Sequence, residues 1–227
     1  MDRAIVLFSG GVDSTALLAY YVKTFGGHVT ALSVNYVQRH AVELEAARHI
    51  ARRFDVEQYE ISLEALSPFL GGSALTDPAI DVPLAPYSPD VIDAMTVPAR
   101  NGLFVMLAAS IGLSMPFDKD GDTLYVAIGA HAGDGAVGYA DCSSRFCELL
   151  SRTMLEIDRR DVILDAPFIK LTKAMIVQRA VTLDAPLELT WSCYQGSAAQ
   201  CGRCATCRER RKAFIEAGVT DRTAYLE

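Results

Sequence analysis

Apolar residues come in short bursts along this chain, and the bursts alternate between two spacings. Ala4-Ile5-Val6-Leu7-Phe8 is a continuous apolar run, as expected of a strand buried on both faces. Leu17, Leu18, Tyr21, Val22 and Phe25 then recur at helical spacing in a segment beginning near Ala16, and Gly26-Gly27 ends it. Residues 28–34 read as a second strand. Residues 42–54 form an amphipathic helix with Leu44, Ala47, Ile50 and Ala51 on one face, and residues 58–61 a third, short strand. A helix buried inside the domain is predicted from Asn101 through the most apolar stretch, residues 103–115. A turn over 118–122, a strand over 123–128 and a glycine-rich loop over 129–138 come next. Helix 144–157, strand 162–165 and helix 172–182 complete the pattern.

Strands alternating with helices predict an α/β fold: a Rossmann-like, mainly parallel sheet flanked by helices. Residues 67–98 break the rhythm. Pro68, Gly71, Gly72, Pro78, Pro83, Pro86, Pro89 and Pro98 exclude long regular elements there, and a loop-rich insertion of this length is expected to be functional or mobile. Two regions are expected: an α/β domain over 1–186 and a C-terminal segment over 187–227 packed on it.

Composition narrows the function classes. The 227 residues suffice for one sizeable domain, and 51% hydrophobic with 22% charged residues is the balance of a globular protein. A formal charge of -7 argues against non-specific binding to nucleic acid, although Arg208-Glu209-Arg210-Arg211-Lys212 remains a local basic run. The apolar stretch 103–115 is shorter than the roughly 20 residues a membrane-spanning helix needs. The chain opens on a core strand rather than an export signal, so a cytoplasmic location is expected. In that setting six cysteines point to metal or catalysis rather than to disulfides.

Between the first strand and helix stands Ser9-Gly10-Gly11-Val12-Asp13-Ser14-Thr15. A helix start offers unpaired N–H groups and the positive end of the dipole, both of which attract phosphate. Glycines allow close approach to an anion, and Ser9, Ser14 and Thr15 add hydroxyls. The segment fits neither a Walker A loop nor a dinucleotide fingerprint, and no lysine follows until Lys23. An ordinary capped turn is the bland alternative.

Cys193, Cys201, Cys204 and Cys207 have the spacing C-x7-C-x2-C-x2-C. Thiolates two residues apart share a tight turn and can bind one metal together. A structural zinc ion is the expectation; an iron–sulfur cluster and unligated thiols are the alternatives. Cys142 and Cys147 are expected to be small core residues.

The glycine loop resembles the SGG-x-DS loop of ATP pyrophosphatases (PP-loop enzymes), which split ATP between the α and β phosphates. Joined to the cysteine cluster, the resemblance becomes specific. Over nearly its whole length the chain resembles the 7-cyano-7-deazaguanine synthase (QueC) family. The landmarks are the loop itself, Tyr36-Val37-Gln38-Arg39-His40 with Glu43 and Leu44, Val97-Pro98-Ala99-Arg100-Asn101, and Gly138-Tyr139-Ala140-Asp141-Cys142. Leu171-Thr172-Lys173-Ala174 and Ser192-Cys193-Tyr194 leading to the cysteines complete the series.

That resemblance implies a core like that of the adenine nucleotide alpha hydrolases. It also implies a ligase that converts 7-carboxy-7-deazaguanine and ammonia to the nitrile, consuming two ATP with Mg²⁺ and carrying structural Zn²⁺. Ser9, Gly10, Gly11, Asp13, Ser14 and Thr15 would hold the ATP phosphates, with Asp13 either ligating Mg²⁺ or capping the helix. Ser14, Lys173 and Arg100 would be catalytic, Lys173 toward pyrophosphate and Arg100 toward phosphate or carboxylate. Gln38, Arg39 and His40, after the second strand, would contribute to the nucleotide site; for His40 a capping role weighs equally. His131, Tyr139 and Asp141 would contact the deazapurine, and a homodimer is implied.

The chain departs from the family pattern at His131 (usually asparagine), Ala140 (proline) and Ser143 (arginine), and residues 134–138 look one residue longer. A related enzyme joining the deazapurine acid to another amine, such as a protein or nucleic acid, is therefore an alternative. So are a PP-loop tRNA-modifying enzyme, which the acidic charge disfavours, and a non-catalytic nucleotide sensor or zinc-ribbon protein.

Overall fold

A computed structural model describes residues 1–117 and 121–226. Its centre is a parallel sheet of five strands: β1 (Arg3–Leu7), β2 (Val29–Asn35), β3 (Glu57–Ser62), β4 (Leu124–Ala127) and β5 (Val162–Asp165), in the order β3-β2-β1-β4-β5. Ile5 sits beside Thr30 on one side and Val126 on the other. The strand order reverses at β1, so the crevice beyond its carboxyl end is where such sheets bind ligands.

Alternation along β1 explains the two layers. Ala4, Val6 and Phe8 face one core, closed by α1 (Val12–Phe25), α2 (Val42–Arg53), α7 (Lys173–Thr182) and α8 (Ala205–Ala217). Ile5 faces the other core, closed by α4 (Arg100–Ser114) and α6 (Ser144–Met154). With both faces covered, β1 and β2 are buried along most of their length, β2 including the polar Thr30 and Ser33, while the edge strand β3 is largely exposed. Cys142 and Cys147 are buried in the second core.

Three expectations about elements need correction. The helix over the apolar stretch is only half buried: Val105, Ala108, Ala109 and Gly112 face the sheet, while Met106 is 41% exposed. The glycine-rich loop contains a short helix, α5 (Ala132–Val137), because His131 Nδ1 accepts the Gly133 N–H at 3.0 Å and caps it. The basic run is split between two faces, with Arg208, Arg211 and Lys212 exposed. Helical geometry turns Arg210 inward, 1% exposed, where its guanidinium donates to Leu187 O, Thr190 O, Thr190 Oγ1, Ser192 Oγ and the Asp221 carboxylate. The predicted turn over 118–122 lies partly outside the described residues.

The proline-rich region holds a 3-10 turn over Glu64–Phe69 and one short helix, α3 (Pro89–Met95), capped by Ser88 with Pro89 in its first turn. Ala74, Leu75, Val82, Val91, Met95 and Val97 pack with the four cysteines in a third core. The insertion and the C-terminal segment thus bury each other. The C-terminal segment also reaches the first core through Ala213 and Phe214 of α8. Among the described residues no single helix is long and apolar enough to cross a membrane.

Candidate active site and metal centre

Beyond the carboxyl ends of β1, β2 and β4 opens a cavity of about 220 Å³. Ser9, Gly11, Asp13 and Ser14 of the loop Ser9–Thr15 form its floor. Gly10 takes φ +81°, and a Cβ there would stand 2.6 Å from Ala47 N and 2.7 Å from Glu43 O, so only glycine lets α2 pack on the loop. Gly11 is the N-cap of α1, and the first intrahelical bond is Thr15 N–H to Gly11 O at 3.0 Å. The N–H groups of Val12, Asp13 and Ser14 therefore have no intrahelical acceptor and present a positive end to the cavity. Ser14 Oγ donates to Gly11 O (3.2 Å) and lies 3.2 Å from Ser9 Oγ, which sets both hydroxyls at the same end.

Asp13 does not cap the helix. Its carboxylate pairs with Lys173 Nζ, its Oδ1 lies 3.9 Å from His131 Nε2, and Lys173 is also 3.6 Å from Glu209 Oε2. Burial pushes the Asp13 carboxyl up, but Lys173 and His131 outweigh it and hold it below the usual aspartate range. Burial likewise opposes the Lys173 charge, and Asp13, Glu209 and Asp134 overcome it and raise its pKa. Asp134, 3.4 Å from His131, is pushed up to about 6 by burial against the pull of His131 and Lys173. Asp13 Oδ1 and His131 Nε2 are buried without a hydrogen bond. An acceptor oxygen left unmatched beside the phosphate floor suits a cation accompanying phosphates.

The opposite wall carries Tyr36, His40, Glu43, Arg100 and Tyr194. Ala99, in the left-handed region at φ 56°, makes the turn into α4 that sets Arg100 there. The Arg100 guanidinium makes one hydrogen bond among the described residues, to Tyr36 OH at 3.2 Å. Burial disfavours its charge, but Tyr36, Tyr194 and Asp141 more than restore it. Glu43 is pushed up to about 7 by burial, opposed by Gln38 and Arg100. His40 is pushed down to about 3, by burial and then by Arg100.

Of the residues singled out in the sequence, Ser9, Gly11, Asp13, Ser14, His40 and Arg100 line the cavity. The others are placed elsewhere. Gln38 is buried and holds Tyr36 N–H, Val34 O and Glu43 Oε1; Arg39 Nη2 reaches outward to Asp77 O and Ile80 O, pinning the insertion. Gly10 and Thr15 sit behind the floor, and Lys173 and His131 behind Asp13. Asp141 accepts the Asn101 N–H at the start of α4, and Tyr139 meets Tyr87 edge-on, 6.2 Å between centroids. Ser143 caps α6 by accepting the Phe146 N–H. Glu43 and Asp134 were missed as site residues. A carboxylate three residues beyond His40, in the first turn of an amphipathic helix, was the available signal for Glu43.

The four cysteine sulfurs all lie within 4.8 Å of one another and all four residues are buried. Cys201 Sγ and Cys207 Sγ are 3.9 Å apart, near the roughly 3.8 Å edge of a tetrahedron with bonds of about 2.3 Å. Gly202 takes φ +68°, and the N–H groups of Arg203 and Cys204 turn onto Cys201 Sγ at 3.4 and 3.3 Å. These donors stabilise a thiolate, so the cluster fits a bound metal ion. It joins the cavity physically: Trp191 N–H donates to Gly10 O at 3.0 Å.

The family profile described as "Queuosine biosynthesis protein QueC" matches residues 3–218. The chain belongs to the QueC family. A 7-cyano-7-deazaguanine synthase of Chelativorans sp. (strain BNC1) is 41% identical over 228 residues, covering 98% of this chain and 93% of that protein. Another, of Agrobacterium fabrum, is 40% identical over 226 residues, covering 98% and 92%. The NMN synthetase of Francisella tularensis shares the fold, with TM-score 0.56 at 18% identity over 96% of this chain and 78% of that one. In this QueC-family chain the glycine loop and the half-buried Arg100 therefore open onto one cavity, with the cysteine cluster braced against the loop.

Proposed function

We propose that the chain is a 7-cyano-7-deazaguanine synthase, an ATP-dependent carbon–nitrogen ligase of queuosine biosynthesis. The observation that carries the reading is a glycine loop without a Walker lysine facing, across one cavity, a half-buried guanidinium that makes a single hydrogen bond among the described residues. The full-length similarity to named synthases supports it.

A carboxylate resists attack by an amine because oxide is a poor leaving group. The acid oxygen therefore attacks the α phosphorus of ATP and pyrophosphate leaves. Ammonia displaces AMP from the acyl adenylate to give the amide. A second ATP adenylates the amide oxygen, and loss of AMP and protons leaves the nitrile. The amides at the start of α1, with Ser9 and Ser14, hold the phosphates. Arg100 pairs with the substrate carboxylate and with the charge that builds as it reacts. Lys173, kept protonated by Asp13 and Glu209, adds positive charge behind the loop as pyrophosphate departs. Asp13 Oδ1 would hold Mg²⁺, which supplies charge neutralisation to the phosphates.

Zinc is the metal that four buried cysteines suit best, closing the C-terminal segment rather than taking part in chemistry. The exposed apolar side chains of Met106 on α4 and Leu149 on α6 support a homodimer. A cytoplasmic location follows from the reduced cysteines such a site requires. Where the family arginine would stand, Ser143 caps α6 by accepting the Phe146 N–H.

The test is incubation with ATP, Mg²⁺, 7-carboxy-7-deazaguanine and ¹⁵N-ammonia. The expected outcome is AMP, pyrophosphate and a nitrile carrying the label, identified by mass. A product that stays at the amide, or that joins another amine, contradicts the reading.

A further inference from the structure

Arg100 and Glu43 both line one cavity, and no ion pair joins them among the described residues. Opposite charges usually neutralise each other when taken out of water, so two that face a common space are arranged for a ligand. Glu43 is held in place from one side only. Its Oε1 accepts from Gln38 Nε2 at 3.0 Å and lies 3.4 Å from His40 Nε2, whereas Oε2 has no hydrogen-bond partner among the described residues. Tyr36, Phe104 and Tyr194 line the same cavity and give it flat aromatic surfaces.

A ligand that satisfies both groups carries an anion and, elsewhere on a planar ring system, N–H donors. The acid of the proposed reaction has that layout: a carboxylate on the five-membered ring, and N1–H with the 2-amino group on the far edge of the six-membered ring. Adenine is a poorer match, since N1 beside its amino group is an acceptor and would face the carboxylate oxygen. Asp141, the carboxylate expected from the sequence to serve this purpose, is occupied by the Asn101 N–H.

We propose that Glu43 is the specificity-determining residue for the deazapurine acid, its Oε2 accepting from the guanine-like edge while Arg100 takes the carboxylate. The inference rests on the reaction proposed above. Gln38 then acts as a positioning residue, fixing the carboxyl so that its free oxygen faces the cavity.

Steady-state pyrophosphate release, with ATP and with the acid varied in turn, tests it in the wild type and in Glu43→Gln. The second substrate is the same acid lacking its 2-amino group. The wild type should show a KM roughly tenfold or more higher for the desamino acid, because a buried carboxylate left without its donor is costly. Glu43→Gln should raise KM for the true acid by a similar factor, erase the preference, and leave KM for ATP within about twofold. A variant that raises KM for ATP instead assigns Glu43 to adenine and overturns the inference. So does a wild type indifferent to the 2-amino group, which needs no variant to fold. A wild type that releases no pyrophosphate with either acid overturns the reaction itself.

Discussion

The backbone N–H of Trp191 donates to the carbonyl of Gly10 at 3.0 Å, so the strand of chain that leads into the cysteine cluster is hydrogen-bonded to the phosphate loop. The next turn of that segment supplies Cys193, and Trp191 Nε1 donates to its carbonyl at 2.8 Å. The cysteine cluster and the loop are therefore parts of one mechanical unit.

Removing the metal should loosen that unit. Exhaustive chelation, or Cys204→Ser, is expected to shift the fluorescence of Trp191, the single tryptophan, toward the emission of an exposed indole. Pyrophosphate release should fall in parallel. Metal analysis of the untreated chain should find one zinc; a metal-free chain with unchanged emission and activity would contradict the assignment.

Ser14→Ala removes a hydroxyl from the phosphate end and should cut pyrophosphate release by about a hundredfold while leaving the fold intact. Lys173→Met alone leaves the Asp13 carboxylate buried without its cation, which costs about 3 kcal/mol or more. The double variant Asp13→Asn/Lys173→Met should regain much of that stability without regaining activity. If activity returned with stability, Lys173 would be only a structural partner of Asp13.

Gly10→Ala should lose roughly 2–3 kcal/mol in denaturant unfolding, since the new Cβ meets backbone atoms of α2 at a positive φ. An unchanged unfolding midpoint would mean that the loop and α2 are not packed as described.

Stability should depend on pH through Glu43. Burial pushes its carboxyl up from 4.5 to about 7, so between these values the folded form holds the extra proton. Its contribution is complete below 4.5 and is lost as pH rises through 7. Gln38, His40, Arg100, Tyr36 and Tyr194 face it, and His40, pushed down to about 3, acts in the opposite direction. Comparison with Glu43→Gln isolates the effect: the Tm of the wild type relative to the variant should decline from pH 4.5 to 7 and then level. A flat difference contradicts it.

Arg210→Ala should destabilise by about 3–5 kcal/mol, because it strands the Asp221 carboxylate and the Thr190 and Leu187 carbonyls. Arg210→Lys should rescue little, since one ammonium cannot replace the forked guanidinium. Equal stability of the lysine variant would show that charge alone suffices.

The five strands, the glycine loop with its serines at the start of α1, and the cysteine spacing were all legible along the chain. Each is a short-range property: apolar period, a glycine turn between strand and helix, thiols two residues apart. Tertiary structure decided which neighbours in one motif point where. Gln38, Arg39 and His40 are consecutive, yet the first anchors Glu43, the second pins the insertion and the third faces the cavity. A positive φ at Val37 and the hydrogen bond from Arg39 N–H to Leu75 O set those directions. The burial of Arg210 within a charged run, and the packing of the proline-rich insertion on the cysteines, depend likewise on partners far away in sequence. Local spacing fixes what a segment can do; long-range packing in a dry interior decides which side chain does it.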